Sequence, residues 1–287
     1  MNEAVEQMLA RFPRETAEDH VNALREVLQQ IALLGLWRAK FFEHAAFYGG
    51  TALRVLHGLD RYSEDLDFSL LAPDPAFTLG GYGDALRREL ASFGFEVDFE
   101  ARPRREDSAI ASAFLRANTL RQMIVIRSGE RGAGGFHARE ILKIKLEVDT
   151  DPPPGFATES RTVLLPVPFA VRVYTLPDLF AGKMHALLCR KWGGRVKGRD
   201  WYDLVWYAAR HPRLRLSHLE ARLRSSGHWT GGTLTPDAFH YLFRGAVDAL
   251  NVKQARDEVR PFVRDPDTLA LWSREFFLEI MERIVLV

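Results

Sequence analysis

Apolar residues recur at three- and four-residue steps near the start of the chain, at Val21, Leu24, Leu28, Ile31 and Leu34, with charged residues between them. This is the spacing of one helix face, so residues 3–45 are predicted to be helical and to cover one side of a core. The pattern changes at Ala45–Tyr48, a short apolar run that meets Gly49-Gly50, after which Thr51 opens a helix-like segment stopped at Gly58. The prediction is a strand, a glycine turn and a helix. From Asp65 to Leu71 polar and apolar residues alternate as in a strand, and the Pro- and Gly-rich APDPAFTLGGYG that follows reads as a loop.

A helix at 84–93 and extended segments at 95–102 and 122–127 come next, and SGERGAGGF at 128–136 is expected to be a flexible connection. Alternation resumes over 140–148, where Lys143, Lys145 and Glu147 make a charged face and Leu142, Ile144, Leu146 and Val148 an apolar one. DPPPG at 151–155 breaks it, an extended stretch spans 163–174, and the chain turns helical at Pro177. From there the spacing stays helical through Leu179, Phe180, Met184 and Leu187, through 202–209, and along a final amphipathic run at 269–284. No repeat or low-complexity tract interrupts it. The boundary is placed near residue 175, giving an α+β domain over 1–175 and a helical domain over 176–287.

Composition narrows the class. A chain of 287 residues exceeds the usual domain of about 100–200 residues. With 47% apolar and 27% charged residues it has the balance of an ordinary globular protein. Lys plus Arg minus Asp plus Glu is 39 − 38 = +1, so no global field draws in nucleic acid, and any such contact must rest on a local patch. The single cysteine, Cys189, can form no internal disulfide and cannot anchor a cysteine-based zinc site. It is expected as a reduced thiol packed on a helix. The first residues lack the apolar core of a signal peptide, and no uncharged stretch nears the roughly 20 residues that span a bilayer. A cytoplasmic protein without a membrane partner is expected.

The chemistry concentrates on acids. Residues i and i+2 of a strand share a face, so Asp65 and Asp67 would set two carboxylates side by side, which is repulsive unless a cation lies between them. Hard oxygen ligands suit Mg²⁺ or Mn²⁺, and magnesium commonly takes one or two carboxylates and fills its shell with water and phosphate oxygens. An isolated Asp-x-Asp is equally at home on a solvated strand end. Gly49-Gly50-Thr51, one helix upstream, could turn backbone N–H groups toward a phosphate, although a Gly-Gly pair also serves as a simple tight turn. Glu147 could join the same cluster from a neighbouring antiparallel strand, with Asp149 as a weaker substitute at the break before Pro152. Further on, Lys183, Lys191, Arg195, Lys197 and Arg199 supply cations and Asp200 and Asp203 acids one helical turn apart. They could neutralise a triphosphate or an RNA backbone, or form solvated helix ends. Trp201, Tyr202, Trp206 and Tyr207 are assigned to the core.

Three segments in order, GGTALRVLHGLDRYSEDLDFSL at 49–70, KIKLEV at 143–148 and LPDLFAGKMHALLCRKWGGRVKGRDWYDLVW at 176–206, resemble the AbiEii/AbiGii toxin family of nucleotidyltransferases, which includes the MenT toxins. The resemblance runs from about Ala45 to Ala209. It implies a DNA-polymerase-β-like nucleotidyltransferase core, a mixed sheet with helices, plus a helical C-terminal lobe that completes a nucleotide cleft. On that resemblance Asp65 and Asp67 bind Mg²⁺, and Glu147, placed by its own strand face, is expected to join them. Gly49, Gly50, Thr51 and Ser63 hold phosphates, Lys183 contacts the triphosphate, and Asp200 belongs to a Lys/Arg-Asp motif supported by Arg199 and Asp203. Gly193-Gly194, between Lys183 and Arg199, departs from the family pattern.

The reaction so implied is transfer of a nucleoside monophosphate from an NTP to an acceptor, with loss of pyrophosphate. Several family members are toxins that modify the 3′ end of tRNA, which implies an RNA acceptor, a tRNA above all, and a cognate antitoxin. The rivals are a metal-dependent nuclease or sugar-nucleotide transferase, which also gather acids around a divalent ion, and a nucleotide-binding protein without turnover.

Overall fold

In the computed structural model of the protein, residues 2–13, 15–101, 119–128, 141–189 and 196–287 are described. They fall into two compact units. One comprises residues 1–58, 62–152 and 159–173, the other 59–61, 153–158 and 174–287. The expected connection at 128–136 lies outside the described residues, apart from Ser128.

The first unit is built on a mixed sheet. Its strands are β1 (Ala45–Tyr48), β2 (Leu66–Leu70), β3 (Phe95–Ala101), β4 (Thr119–Ser128), β5 (Ile141–Asp149), β6 (Thr158–Val163) and β7 (Phe169–Tyr174). Their order among the described residues is β3-β4-β5-β2-β1-β7-β6. β1 and β2 run antiparallel, as do β3 with β4 and β4 with β5, whereas β1 pairs β7 and β2 pairs β5 in parallel. The expected antiparallel approach of Glu147 is thus replaced by a parallel one. The stretch expected to be extended over 163–174 is divided between the end of β6 and β7, around the prolines at 166 and 168.

Helices α1 (Glu3–Leu9), α2 (Ala17–Arg38), α3 (Gly49–His57) and α4 (Gly80–Ser92) accompany the sheet. A capping box at Thr16 and Asp19 starts α2, each side chain taking the other residue's backbone N–H. Val27, Leu28, Ile31 and Leu34 of α2 are fully buried, and so are Phe47 and Phe68 of the central strands. Phe41 meets Phe68 edge-on at 4.9 Å and Phe47 stacks on Phe68 at 5.2 Å, which fixes the apolar side of β2. α4 begins at Gly80, inside the expected loop. α2 comes close to it, because a Cβ on Gly35 would lie 3.0 Å from the Glu89 Cβ.

The second unit is mainly helical, with α5 (Leu176–Cys189), α6 (Gly198–Arg210), α7 (Leu216–Ser225), α8 (Pro236–Asp248), α9 (Val252–Val259) and α10 (Arg274–Met281). A two-residue parallel pair joins β8 (Arg213–Leu214) to β9 (Val285–Leu286). The amphipathic run expected over 269–284 is interrupted, since α10 starts only at Arg274, capped by the Ser273 hydroxyl. Tyr207 stacks on Phe180 at 4.2 Å and Trp201 meets Phe277 at 4.7 Å, so these aromatics build the core. At the start of α6 the backbone of Gly198 presses on α9. A Cβ there would lie 1.8 Å from the Ala255 carbonyl oxygen and 3.1 Å from the Val259 Cβ.

That contact yields a stability prediction. Gly198→Ala must push α6 and α9 apart and is expected to cost about 1–3 kcal/mol, the usual penalty of overpacking. Urea unfolding measures it, and an unchanged midpoint would show that the two helices separate freely.

Candidate functional site

The acids of the first unit meet through strand register. Asp67 and Glu147 are direct partners on the parallel strands β2 and β5, flanked by Leu66 with Leu146 and Phe68 with Val148. Partnered residues point to one side of a sheet, so the buried leucine, phenylalanine and valine neighbours define the core side and both carboxylates project from the other. Asp65 lies two residues earlier, where the chain enters β2. Lys145, one step along the same face, reaches the Glu147 carboxylate at 2.8 Å. Like charges placed directly opposite destabilise a sheet, and one ammonium offsets them only in part. Asp149 pairs in register with Ser69, a step beyond Asp67, and its carboxylate accepts the Asp151 N–H at 3.1 Å.

The glycine turn is pressed onto this face. Tyr48, the last residue of β1, is the antiparallel partner of Asp67, and Gly49 then opens α3 at φ +83. A Cβ on Gly49 would stand 2.5 Å from Asp67 Oδ2. Both the left-handed backbone and the close approach therefore require glycine here. The first turn of α3, at Gly49, Gly50 and Thr51, has N–H groups without intrahelical partners, next to a carboxylate face that could hold a cation. Thr51 itself is fully buried, and its hydroxyl donates a short hydrogen bond to the Asp65 carbonyl. The side chain therefore positions the acidic segment. Ser63 is half-buried, and its carbonyl accepts the Gln29 amide at 3.1 Å. Arg54 of α3 pairs with Glu26 of α2 at 2.8 Å and lies over the Tyr62 ring, which braces the chain leading into Asp65.

In the second unit the motif residues form a buried ionic network. Arg61 grips Asp203 through two bonds of 2.6 and 2.7 Å, and Lys183 of α5 reaches the same carboxylate at 2.7 Å. Asp200, one turn before Asp203 on α6, lies 3.8 Å from Lys183. Burial alone would raise the Asp203 carboxyl, but Arg61 and Lys183 overcome it and hold the group below its ordinary range. Burial likewise opposes the Arg61 charge, and Asp203 reverses that effect. Next to Asp203, the Tyr202 hydroxyl donates to Asp60 at 2.8 Å. Arg199 packs over Phe262 and pairs with Glu258 at 3.3 Å, and Lys197 stands at the N-cap of α6. Lys191, Gly193, Gly194 and Arg195 lie outside the described residues.

Structure thus gathers Asp65, Asp67, Glu147 and Gly49–Thr51 in one unit and Lys183, Asp200, Asp203 and Arg199 in the other. Sequence spacing left Arg61 without a role and did not connect Arg199 with Glu258 or Phe262, because pairings between distant segments leave no local pattern. The donor set of the carboxylate face consists of hard oxygens, and it fits a divalent ion of the magnesium class.

Among known proteins, the sequence profile of the family described as "Nucleotidyl transferase AbiEii toxin, Type IV TA system" matches residues 31–280. Among solved structures, the chain is similar to JHP933 from Helicobacter pylori, with a TM-score of 0.53 and 17% identity over 91% of this chain and 94% of that one. A second H. pylori structure, provisionally described as a nucleotidyltransferase, gives a TM-score of 0.45 and 19% identity over 90% and 95% of the two chains. No curated protein matches. Among the described residues no helix is long and apolar enough to cross a membrane.

Two predictions follow from this geometry. Gly49→Ala should displace Asp67 and weaken Mn²⁺ binding at least about tenfold by titration calorimetry, through loss of ligand orientation. Unchanged affinity would mean that the turn and the carboxylate move independently. Asp203→Asn leaves the buried Arg61 and the half-buried Lys183 without their shared anion and should cost about 3–5 kcal/mol at pH 7. Because the folded carboxyl is held low, its stabilisation is complete above the unfolded value of about 3.9 and is lost as pH falls below that. The gap between wild type and variant should therefore narrow in urea unfolding at acid pH. An equal gap at pH 7 and pH 3 would refute the ionic origin.

Proposed function

The chain belongs to the AbiEii family of nucleotidyltransferase toxins, and from that premise we propose that it is Mg²⁺-dependent and transfers a nucleoside monophosphate to the 3′ end of a tRNA. The observation that carries this reading is the partnership of Asp67 with Glu147 beside a glycine turn that tolerates no side chain. A divalent ion held by Asp65, Asp67 and Glu147, Mg²⁺ or Mn²⁺, would lower the charge on the phosphates and favour the ionised form of the acceptor hydroxyl.

The protein's own groups do the rest. Backbone N–H groups of Gly49, Gly50 and Thr51 bind phosphate oxygens, with Ser63 as a further phosphate ligand. The acceptor oxygen forms a bond to the α-phosphorus, the bond from that phosphorus to the bridging oxygen breaks, and pyrophosphate leaves as the hydroxyl gives up its proton. No covalent enzyme intermediate is needed, because alignment and fixed charge supply the acceleration. In this proposal Lys183 contacts the triphosphate, and Asp200 with Arg199 completes the Lys/Arg-Asp motif. The buried Arg61–Asp203 pair holds α6 and the segment that carries it.

With a net charge of +1, an RNA acceptor must be gripped by local cations, since long-range steering is weak. A cognate antitoxin would be the partner that restrains the activity, and the cytoplasm is the compartment where NTP, tRNA and antitoxin meet.

The test is incubation of wild type and Asp67→Ala with each α-³²P-labelled NTP, Mg²⁺ and total cellular RNA, resolved on a denaturing gel. A labelled tRNA-sized band is expected with wild type, and the variant should retain less than about a thousandth of the rate. Label on protein alone would overturn the tRNA assignment. RNA cleavage without label would favour a nuclease, and nucleotide binding without any product a non-catalytic protein.

A further inference from the structure

At the end of α5 three metal-ligating side chains converge away from the carboxylate face. His185 and Cys189 are four residues apart on α5, one above the other on one helix face. His228 joins them from the turn after α7. The candidate ligand atoms of the three residues all lie within 4.8 Å of one another.

The position of His228 is fixed by backbone. α7 ends at Ser225, Ser226 caps it, and Gly227 adopts φ +72. The Gly227 N–H then donates to the Arg224 carbonyl at 3.0 Å and the His228 N–H to the Leu223 carbonyl at 2.8 Å. This pair of bonds is the Schellman closure of a helix, with glycine at its left-handed position. It directs the chain back toward α5.

At the centre of the three ligands sits the Ser226 hydroxyl. Its oxygen is 2.8 Å from His185 Nε2 and 2.9 Å from His228 Nδ1, and it hydrogen-bonds to the Cys189 sulfur as well. One small polar atom thus occupies the point at which two imidazoles and a thiol converge. Zinc binds imidazole nitrogen at about 2.0–2.1 Å and thiolate at about 2.3 Å, so closing the three ligands on an ion needs shifts of roughly 1 Å and rotation of the Ser226 hydroxyl.

We propose that His185, Cys189 and His228 form a zinc site of two imidazoles and one thiolate, unlike the cysteine-based site that a single cysteine excludes, with water as fourth ligand, that clips the end of α5 to the turn after α7. Sulfur and imidazole donors select a borderline-soft ion such as Zn²⁺ and disfavour Mg²⁺, which demands oxygen. Binding forms one Zn–S and two Zn–N bonds with neutral imidazoles, and the thiol proton passes to the buffer. Without an ion, burial keeps the Cys189 thiol protonated up to about 12, so it is an unreactive group in the absence of metal. The site is independent of the transferase reading, because none of its residues belongs to the machinery proposed above.

The rival is a purely hydrogen-bonded network around Ser226. Full-length protein stripped with chelator is titrated with Co²⁺, a spectroscopic probe for zinc, in wild type, Cys189→Ser and His228→Ala. Wild type should show a near-ultraviolet thiolate-to-cobalt band at one ion per chain, and excess Zn²⁺ but not Mg²⁺ should abolish it. Cys189→Ser should lose the band, and His228→Ala should weaken Co²⁺ binding by more than about a hundredfold, since a ligand itself is removed. In parallel, Zn²⁺ should raise the melting temperature of wild type and leave that of Cys189→Ser unchanged. Absence of the band in wild type, or its survival in Cys189→Ser, overturns the proposal and leaves the Ser226 network alone.

Discussion

Asp67 and Glu147 are register partners on neighbouring strands, with Lys145 paired to the second of them, and the first unit is arranged to hold both acids there. A flexible loop would let the two carboxylates drift apart. Here the Phe68 side chain, locked among Phe41, Phe42 and Phe47, denies β2 any rotation that would separate them. The parallel partnership of β2 and β5 sets the register residue by residue, and a slip of one position would turn Asp67 into the core. Hydrophobic packing on one side of the sheet therefore holds the acidic pair in register on the other. A divalent ion placed between two such carboxylates would relieve their repulsion.

The glycine turn depends on the same constraint. Gly49 can lie against Asp67 only because it lacks a Cβ, and α3 can begin at that point only because its left-handed φ is tolerated. Thr51 then ties the first turn of α3 to the Asp65 carbonyl. Helix start and acidic segment thus form one piece, so the N–H groups of the first turn and the carboxylates keep a fixed spacing. Preorganisation of this kind is what a phosphoryl-transfer site requires, since positioning and charge supply most of its rate.

Much of this was legible in the sequence. β1, the glycine turn, α3 and β2 stand close to where alternation and Gly58 place them, because each depends on local signals of periodicity and capping. The mixed sheet with a helical C-terminal part also follows from pattern and family resemblance. Strand direction did not, since the alternation in 140–148 is the same whether β5 runs parallel or antiparallel to β2. Nor did the buried network, as Arg61 and Asp203 lie far apart in the chain and a charged residue in a motif reads equally well as solvent-exposed. The start of α4 was hidden by its glycines, whose low helix propensity is overridden by packing on α2.

Charge in the second unit follows a different rule from charge on the sheet. Asp203 is shared by Arg61 and Lys183, with Asp200 close by, so one buried and one half-buried cation stand against two buried anions. Buried pairs contribute little net stability over apolar packing, yet removal of one partner is costly. A network of that kind is better suited to specifying a geometry than to stabilising a fold.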